Sequence, residues 1–400
     1  MGNNLDDLRK FNLAAVLRIV HHERSISRSE LSSRTGLNRS TISALIGELS
    51  AKGLVYETGE NIEKKVGRPS TVVRANENTV AIAVNPEVDA VNVAVIGLGG
   101  HVHKQSRFET TGSPTVRETI KITCAIIDGL TSISRDNLQI VGIGLAIPEL
   151  IRKNDGFIQT SHHLDWKDER IVQIMEEATG FVTKAANDAY LSTLAEQTFG
   201  SGNGVKDMVF MNGGPSGIGG GIVAGGQLVS GFQGYAGELG HTRVTIDGEA
   251  DSANVRGTVE AEVSRVSLLS ALNLKSADFD ELDQALRTSK SPTVLAEVGR
   301  QLEYLALAIS NLINLLNPEL IILGGFLGTI YSMDTKRIQK IVAQHTLKPS
   351  YETVRMSRAT LGVNQVVLGA AELIFQRLLN DPVGQKFKRT PKSISGQERG

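Results

Sequence analysis

The stretch Ala236-Gly237-Glu238-Leu239-Gly240-His241 is the most specific run in this chain of 400 residues, and Asp247-Gly248 and Glu260 follow it. Three further motifs flank this run: Ala186-Asn187-Asp188-Ala189, Gly217-Ile218-Gly219-Gly220-Gly221 and Asn314-Leu315-Leu316-Asn317-Pro318-Glu319. Taken singly, each acidic residue could be an ordinary surface carboxylate, and the histidine could be a core residue. The information therefore lies in the order of the motifs along the chain.

The sequence around these motifs, from about Thr79 onward, alternates short apolar segments with helical patterns. Six segments are predicted as strands: 80–84, 91–96, 140–146, 208–212, 219–224 and 320–323. Four segments are predicted as helices: 191–198, 257–272, 291–316 and 365–379. Such an alternation predicts an α/β protein.

The beginning of the chain has a different pattern, because its apolar residues recur at helical spacing in three short runs. The first run, 8–22, places four apolar residues near one face: Phe11, Ala15, Leu17 and Val20. The second run opens at Ser27 or Ser29, since Ser27 and Glu30 have the spacing of a capping box, and it ends at Gly36.

The third run begins at Asn38 or Ser40 and ends near Lys52, and a hairpin with strands at 54–58 and 71–74 follows it. Two helices joined by a tight turn and followed by a hairpin predict a winged helix-turn-helix, whose second helix can lie in the DNA major groove. Its candidate base and phosphate contacts are Arg28, Asn38, Arg39, Ser40, Thr41 and Ser43. The alternative is that these polar residues only cap and solvate an ordinary helix.

The predicted tip of the hairpin is basic and supports the DNA-binding interpretation. It contains Lys64, Lys65 and the run Gly67-Arg68-Pro69. Glycine permits a close backbone approach and proline fixes an extended path, so Arg68 between them is suited to a narrow minor groove.

Charge is distributed unevenly along a chain whose formal net charge is −1. Residues 1–76 hold twelve Lys or Arg against eight Asp or Glu, a net charge of +4; the remainder holds 30 against 35, a net charge of −5. A basic head on an acidic body fits DNA binding.

The single cysteine, Cys124, excludes an intramolecular disulfide framework. No run resembles a membrane span or a secretory signal, so the cytoplasm is the expected location.

Together the motifs resemble the ROK family of repressors and sugar kinases over nearly the whole chain. The resemblance implies an actin-like ATPase fold, with two α/β lobes around a cleft. In kinases of that family the aspartate of an Asn-Asp pair is the general base; Asp188 takes that position, and Asn187 would bind another hydroxyl. Glu238, His241 and Glu260 match the other sugar-contacting positions. A sugar needs many oriented partners, because each unpaired buried polar group costs about 1–3 kcal/mol.

The first lobe departs from the family's kinases at a phosphate-binding turn. Those kinases have Asp-x-Gly-x-Thr, where this chain has Asn85-Pro86-Glu87-Val88-Asp89. Glu87 brings a negative charge that repels triphosphate, and Pro86 removes an amide donor. The second phosphate turn, 215–217, is only partly kept. We therefore expect a degenerate kinase domain without phosphoryl transfer.

A second departure is the structural zinc site of the family, which uses a histidine and three cysteines. His241 is present, but the cysteine positions correspond to Asp251, Ala253 and Thr258, so no metal or other cofactor is expected. The segment 242–259 is then held by packing and hydrogen bonds, or is mobile. Glu149 stands where the family usually has glycine, which also allows an effector different from the usual sugars.

The resulting prediction is a winged helix-turn-helix at 1–76, a ROK-type effector and oligomerisation domain of two lobes at 77–380, and a disordered tail at 381–400. The function expected is a transcriptional regulator, with repression the expected role, that binds an operator in double-stranded DNA. A small-molecule effector, a sugar or sugar derivative, binds without catalysis, and the protein is a homodimer or homotetramer without a membrane partner. The alternatives are a regulator that senses a non-sugar metabolite and an active sugar kinase with a DNA-binding head.

Overall fold

The computed structural model describes residues 2–59, 71–133, 138–160 and 163–384, with only the backbone for 2–5, 131–133 and 160. Backbone contacts divide the chain into two compact units. The first consists of Met1–Ala186 and Val367–Gly400, and the second of Asn187–Val366. Most of the tail predicted to be disordered, 385–400, lies outside the described residues.

The first unit begins with a winged helix-turn-helix. Its elements are α1 (Gly2–Glu23), β1 (Ser25–Ser27), α2 (Arg28–Thr35), α3 (Arg39–Ala51), β2 (Val55–Thr58) and β3 (Val72–Ala75). The three strands pair in the order β1-β3-β2. The Ser27 hydroxyl accepts from the Glu30 amide to cap α2, and Gly36 ends that helix with a left-handed φ of 70°. The three helices and the hairpin are as the sequence predicts, and β1 is an addition.

The core of this head corrects the predicted face of α1. Phe11 is 70% exposed, whereas Leu13, Val16, Leu17 and Val20 are buried. They pack with Leu31 and with the apolar face of α3: Ile42, Leu45, Ile46 and Leu49. The prediction was right at Leu17 and Val20 and wrong at Phe11, because the helical stripe that meets α2 and α3 runs through residues 13, 16, 17 and 20.

A five-stranded sheet follows in the first unit. Its strands are β4 (Thr79–Pro86), β5 (Ala90–Gly97), β6 (His101–Glu109), β7 (Gln139–Ile147) and β10 (Thr183–Asn187), in the order β10-β7-β4-β5-β6. Strands β4, β5 and β6 are antiparallel neighbours, and β4 pairs with β7 in parallel. The other elements are α4 (Val116–Ile133), β8 (Phe157–Thr160), β9 (Lys167–Arg170) and α5 (Ile171–Thr179). Every residue of β4 is buried, in keeping with the apolar run 80–84 at its centre.

The second unit is built on another five-stranded sheet, in the order β13-β12-β11-β14-β15. The unit runs α6 (Asp188–Phe199), β11 (Met208–Gly214), β12 (Gly217–Ala224), β13 (Gln227–Leu228), α7 (Val259–Glu262), α8 (Arg265–Ala271), α9 (Phe279–Thr288), α10 (Pro292–Leu316), β14 (Leu320–Gly324), α11 (Gly325–Met333), α12 (Thr335–His345), α13 (Lys348–Thr353) and β15 (Arg355–Arg358). Strands β11 and β12 are antiparallel, and β11, β14 and β15 are parallel neighbours.

The single helix predicted at 257–272 is two helices. The Thr258 side chain caps α7 by accepting from the Ala261 amide, and α7 ends after Glu262. The Ser264 side chain then caps α8 by accepting from Ser267. Because an N-cap residue has non-helical backbone angles, Ser264 interrupts the run even though the apolar pattern continues.

The last helix, α14 (Gln365–Asn380), brings the chain back to the first unit from Val367 onward. Its Glu372 carboxylate lies 2.8 Å from Nε2 of His21 on α1, and both side chains are buried. Nδ1 of the same imidazole accepts from the Gly99 amide at 2.9 Å. The Arg18 guanidinium donates to Asn380 at 2.7 Å. Polar contacts therefore hold α1 against α14.

Among the described residues, no helix is both long and apolar enough to cross a bilayer.

Candidate DNA-binding and effector sites

Helix α3, the candidate recognition helix, exposes the first residues of its amino end. Asn38, Arg39 and Ser40 are exposed, while Thr41 and Ser43 are half-buried. The side-chain Oδ1 of Asn38 accepts from the Thr41 amide at 2.9 Å and from the Ser40 hydroxyl at 2.7 Å. Asn38 is therefore the cap that settles the start of the helix, and its side-chain oxygen is occupied within the protein.

Arg28, at the start of α2, is held by neighbours rather than extended into solvent. It donates to both carboxylate oxygens of Glu57 on β2, at 2.6 and 2.5 Å, and to the Ser43 hydroxyl at 2.9 Å. The hydrogen bond to Glu57 raises the pKa of the guanidinium. Arg28 thus joins α2, α3 and the hairpin, a role that the sequence does not reveal because these residues are distant in the chain.

The remaining predicted DNA contacts belong to the hairpin tip. Lys64, Lys65 and Arg68 lie outside the described residues, between β2 and β3. Their contact with DNA stays a prediction.

The predicted effector residues all lie in the second unit. Asn187 and Asp188 stand where β10 passes into α6. The Asn187 side-chain oxygen accepts from the Ala189 and Tyr190 amides at 2.9 and 3.1 Å, and Asp188 accepts from the Ala189 amide at 2.8 Å. A carboxylate is favourable at this position because the amino end of a helix carries partial positive charge.

The glycine run of β12 brings the separate sequence motifs together. A side chain at Gly219 would overlap Ala189 of α6, and one at Gly220 would overlap Leu239. The helix that begins at Asp188 and the turn that follows Glu238 therefore both approach this strand closely. These glycines serve packing, as expected from the sequence.

Glu260 on α7 is anchored to the start of β12. One carboxylate oxygen accepts from the Ile218 amide at 2.9 Å, and the other accepts from the Ser252 hydroxyl at 2.6 Å. A Cβ at Gly217 would overlap this carboxylate in its present position, and the φ of 139° at this residue also favours glycine. The sequence analysis did not identify Ser252, whose position in an irregular segment carries no periodic signal.

Glu238, His241 and Glu260 influence one another electrostatically. Burial raises the pKa of the Glu238 carboxyl, with His241 opposing the rise and Glu260 adding to it. Burial by itself lowers the pKa of His241, but its hydrogen bond to Asp251 and the charges of the nearby carboxylates outweigh burial and raise that pKa. The three side chains therefore form one electrostatic cluster, rich in hydrogen-bond acceptors.

The residues at the family's zinc positions do not fit a zinc ion. Nδ1 of His241 lies 2.8 Å from Asp251, and the Thr258 hydroxyl donates to the same carboxylate oxygen at 3.0 Å. Ala253 contributes only its backbone amide, at 2.9 Å. One imidazole and one carboxylate are too few for a tetrahedral structural site. Within the described ranges, no group of three or more His, Cys, Asp or Glu could hold a metal ion.

Residues 85–89, where the sequence predicts the loss of a kinase phosphate loop, form a polar network in the first unit. Glu87 accepts from the side chains of Asn85 and Asn92 at 3.2 and 2.6 Å. Arg107 on β6 pairs with Asp89 at 2.6 Å and with Glu87 at 3.4 Å. The Glu87 amide donates to the backbone of the same hairpin. The polar side chains of this turn are thus bonded to Asn92, to Arg107 and to one another, and the Glu87 amide is bonded to a backbone oxygen.

Glu149, the other departure in the first unit, is buried and accepts from the His163 amide at 2.6 Å. The carboxylate therefore orders the backbone beyond β8 rather than standing free. A glycine in its place could not make this contact.

Two family profiles match separate parts of the chain. The profile described as ROK family matches residues 81–377, and that described as winged helix-turn-helix DNA-binding matches residues 14–56. The chain is 26% identical to a xylose repressor of Bacillus spizizenii over 378 residues, covering 93% of this chain and 97% of the relative. It is 28% identical to a glucokinase of Halalkalibacterium halodurans over 312 residues, covering 70% and 94%.

A solved structure supports the fold. A ROK family transcriptional regulator, described as a homologue of the Escherichia coli MLC protein, superimposes with a TM-score of 0.76 at 22% identity. The match covers 93% of this chain and 97% of that one. The predicted fold class, a winged helix-turn-helix before a two-lobed kinase-like domain, is confirmed.

Proposed function

The chain belongs to the ROK family and carries an N-terminal winged helix-turn-helix, and from this premise we propose that it is a sugar-responsive DNA-binding repressor. The observation that carries the proposal is the presence in one chain of a helix-turn-helix whose second helix exposes its first residues and of a half-buried cluster of hydrogen-bond acceptors suited to a sugar. The relative named xylose repressor, which matches over nearly the full length, supports a sugar effector and a repressing role.

The kinase-like domain binds its effector without phosphoryl transfer. Transfer requires metal-bound nucleotide held in line with the acceptor hydroxyl. The turn around Glu87 has no glycine, and its carboxylates are paired with Arg107 instead of being available to a metal. Asp188 then acts as a hydrogen-bond acceptor for the effector rather than as a base. The glucokinase relative is the reason to test this absence directly.

In this proposal residues 1–76 bind DNA, and residues 77–380 bind effector and form a homodimer or homotetramer. Two heads in one oligomer bind a palindromic operator, as such symmetry requires. The protein works where the DNA is, in the cytoplasm. The effector can change the affinity for the operator only by the factor by which the operator-free and operator-bound proteins differ in their affinity for the effector.

The experiment begins by locating operators through genome-wide footprinting and then measures operator affinity by fluorescence anisotropy at fixed salt. D-xylose, D-glucose and other aldoses are added one at a time, and one of them should lower the affinity. A coupled assay with ATP and the same sugars should give no turnover. Specific DNA binding that responds only to amino-acid derivatives would favour the non-sugar alternative, and sustained ATP turnover would favour the kinase.

A further inference from the structure

Asp251 is the best-connected carboxylate in the segment between His241 and α7. Its side chain has no exposed surface. One oxygen accepts from the Ala253 and Val255 amides at 2.9 and 2.8 Å. The other faces Nδ1 of His241 at 2.8 Å and accepts from the Thr258 hydroxyl at 3.0 Å. Four donors thus converge on one buried side chain.

These contacts determine which imidazole nitrogen of His241 carries the proton. An ionised carboxylate only accepts hydrogen bonds, so Nδ1 must be the donor. The ionised form of Asp251 fits this environment, because one oxygen receives two backbone amides and the other can receive the Thr258 hydroxyl. In the neutral imidazole Nε2 is then an acceptor, and the His241 side chain is 35% exposed.

The surroundings of His241 indicate what its second nitrogen can bind. Glu238 and Glu260 both act on the imidazole through their charges. Within the described residues, Nε2 makes no hydrogen bond. When the ring is neutral, Nε2 and the two carboxylates beside it are all acceptors, which complements a ligand with several hydroxyl donors.

We propose that Asp251 is a positioning residue for the effector site: it takes over the structural task of a metal ion and fixes His241 with Nε2 directed to an effector hydroxyl. The second half of this inference rests on the proposed sugar-sensing function. Asp251 connects the turn at His241, the loop at Ala253 and Val255, and the start of α7 at Thr258. Because Glu260 lies on α7, the same carboxylate holds both His241 and Glu260 in place. Carboxylate partners orient histidines at metal sites by the same hydrogen bond.

The test measures the tautomer of His241 by NMR of the ¹⁵N-labelled imidazoles in the full chain, at alkaline pH where the ring is neutral. His241→Gln identifies the resonance. The parent should be protonated at Nδ1 and not at Nε2. Asp251→Asn keeps the shape but replaces one acceptor oxygen by a donor amide. If the remaining oxygen keeps the two backbone amides, His241 should shift towards the tautomer protonated at Nε2.

The same variants are titrated with the aldose that releases the parent from its operator, D-xylose being the first probe. Asp251→Asn should raise the midpoint of the response by about two- to tenfold, the equivalent of one neutral hydrogen bond. Asp247→Asn is the matched control, since Asp247 is exposed in the same segment and loses the same charge. It should change neither the tautomer nor the midpoint.

A parent protein whose His241 is protonated at Nε2 would overturn the proposal, and this measurement does not depend on whether Asp251→Asn folds. An Asp251→Asn protein that keeps the parent tautomer and midpoint would overturn it as well. If the tautomer shifts while no aldose affects operator binding in any protein, the positioning role of Asp251 stands and the proposed sugar sensing fails.

Discussion

Arg39 differs from the residues around it in the recognition helix. Its neighbours Asn38 and Ser40 are hydrogen-bonded in the helix cap, whereas Arg39 is exposed and makes no hydrogen bond or ion pair with the described part of the chain. A free guanidinium at the amino end of a recognition helix is placed to contact guanine in the major groove.

We expect Arg39→Ala to weaken binding to the specific operator by about 1–3 kcal/mol and to relax base preference at one position. Fluorescence anisotropy with operator and single-base variants, at matched salt, measures both effects. Lys340→Ala is the control, because Lys340 is an exposed cation on α12 of the other unit. Parent-like affinity and base preference in Arg39→Ala would remove Arg39 from the base contacts.

Glu57 occupies both donor faces of Arg28 in the free protein. We expect Glu57→Gln to tighten DNA binding, since Arg28 is freed for a phosphate and a negative charge is removed. The plot of log affinity against log salt should steepen by about one phosphate contact, a slope change of roughly −0.9. Weaker binding with an unchanged salt slope would instead assign Arg28 to holding α2 and α3 together.

Asp188→Asn keeps the shape of the side chain and removes its charge. A hydrogen bond to a charged acceptor contributes about 1.5–3 kcal/mol, so the effector midpoint should rise by about one to two orders of magnitude. Operator affinity without effector should remain at the parent value, because residue 188 belongs to the second unit. Loss of DNA binding with an unshifted midpoint would contradict the effector assignment.

At the scale of elements, the prediction succeeded where local patterns are strong. The helix-turn-helix, the first β hairpin of the sheet and α10 follow from periodicity, caps and unbroken apolar runs. It was wrong at Phe11, because periodicity alone leaves the choice of packed face to tertiary contacts. The candidate effector residues were identified by their order in the sequence. The proposed role of Asp251 could not be predicted in this way, since the hydrogen bonds of a carboxylate produce no regular spacing in the sequence.

Helix α1 contains a histidine whose burial links stability to pH. Burial lowers the pKa of His22 to about 4, with His21 adding to the effect. Between that value and the usual 6.5, the unfolded chain binds a proton that the folded chain does not. The contribution of neutral His22 to the free energy of unfolding is therefore complete above pH 6.5 and is lost as the pH falls towards 4.

The free energy of unfolding should therefore fall by about 2 kcal/mol from this residue between about pH 7.5 and about pH 5. Denaturant titrations of parent and His22→Gln at both pH values isolate the contribution, which equals the difference between their pH dependences. Equal dependences in the two proteins would mean that His22 titrates normally in the folded state.

The whole molecule should fold without zinc, because the His241 and Asp251 pair stands among too few metal ligands. Elemental analysis after dialysis against a chelator should find no bound zinc, and the midpoint of thermal unfolding should be the same before and after. One zinc ion per chain that survives dialysis would contradict the expectation. The described atoms at this site would then have to rearrange on metal binding.

The buried contact between His21 and Glu372 joins positions 351 residues apart in the sequence. A chimera that received a foreign DNA-reading head ending near residue 76 would keep Glu372 and lose its imidazole partner. A buried polar group that loses its hydrogen-bond partner costs about 1–3 kcal/mol, a large share of the stability of most proteins. The DNA-binding domain therefore cannot be exchanged by itself in this chain. An exchange must also include the residues of α14 that contact α1.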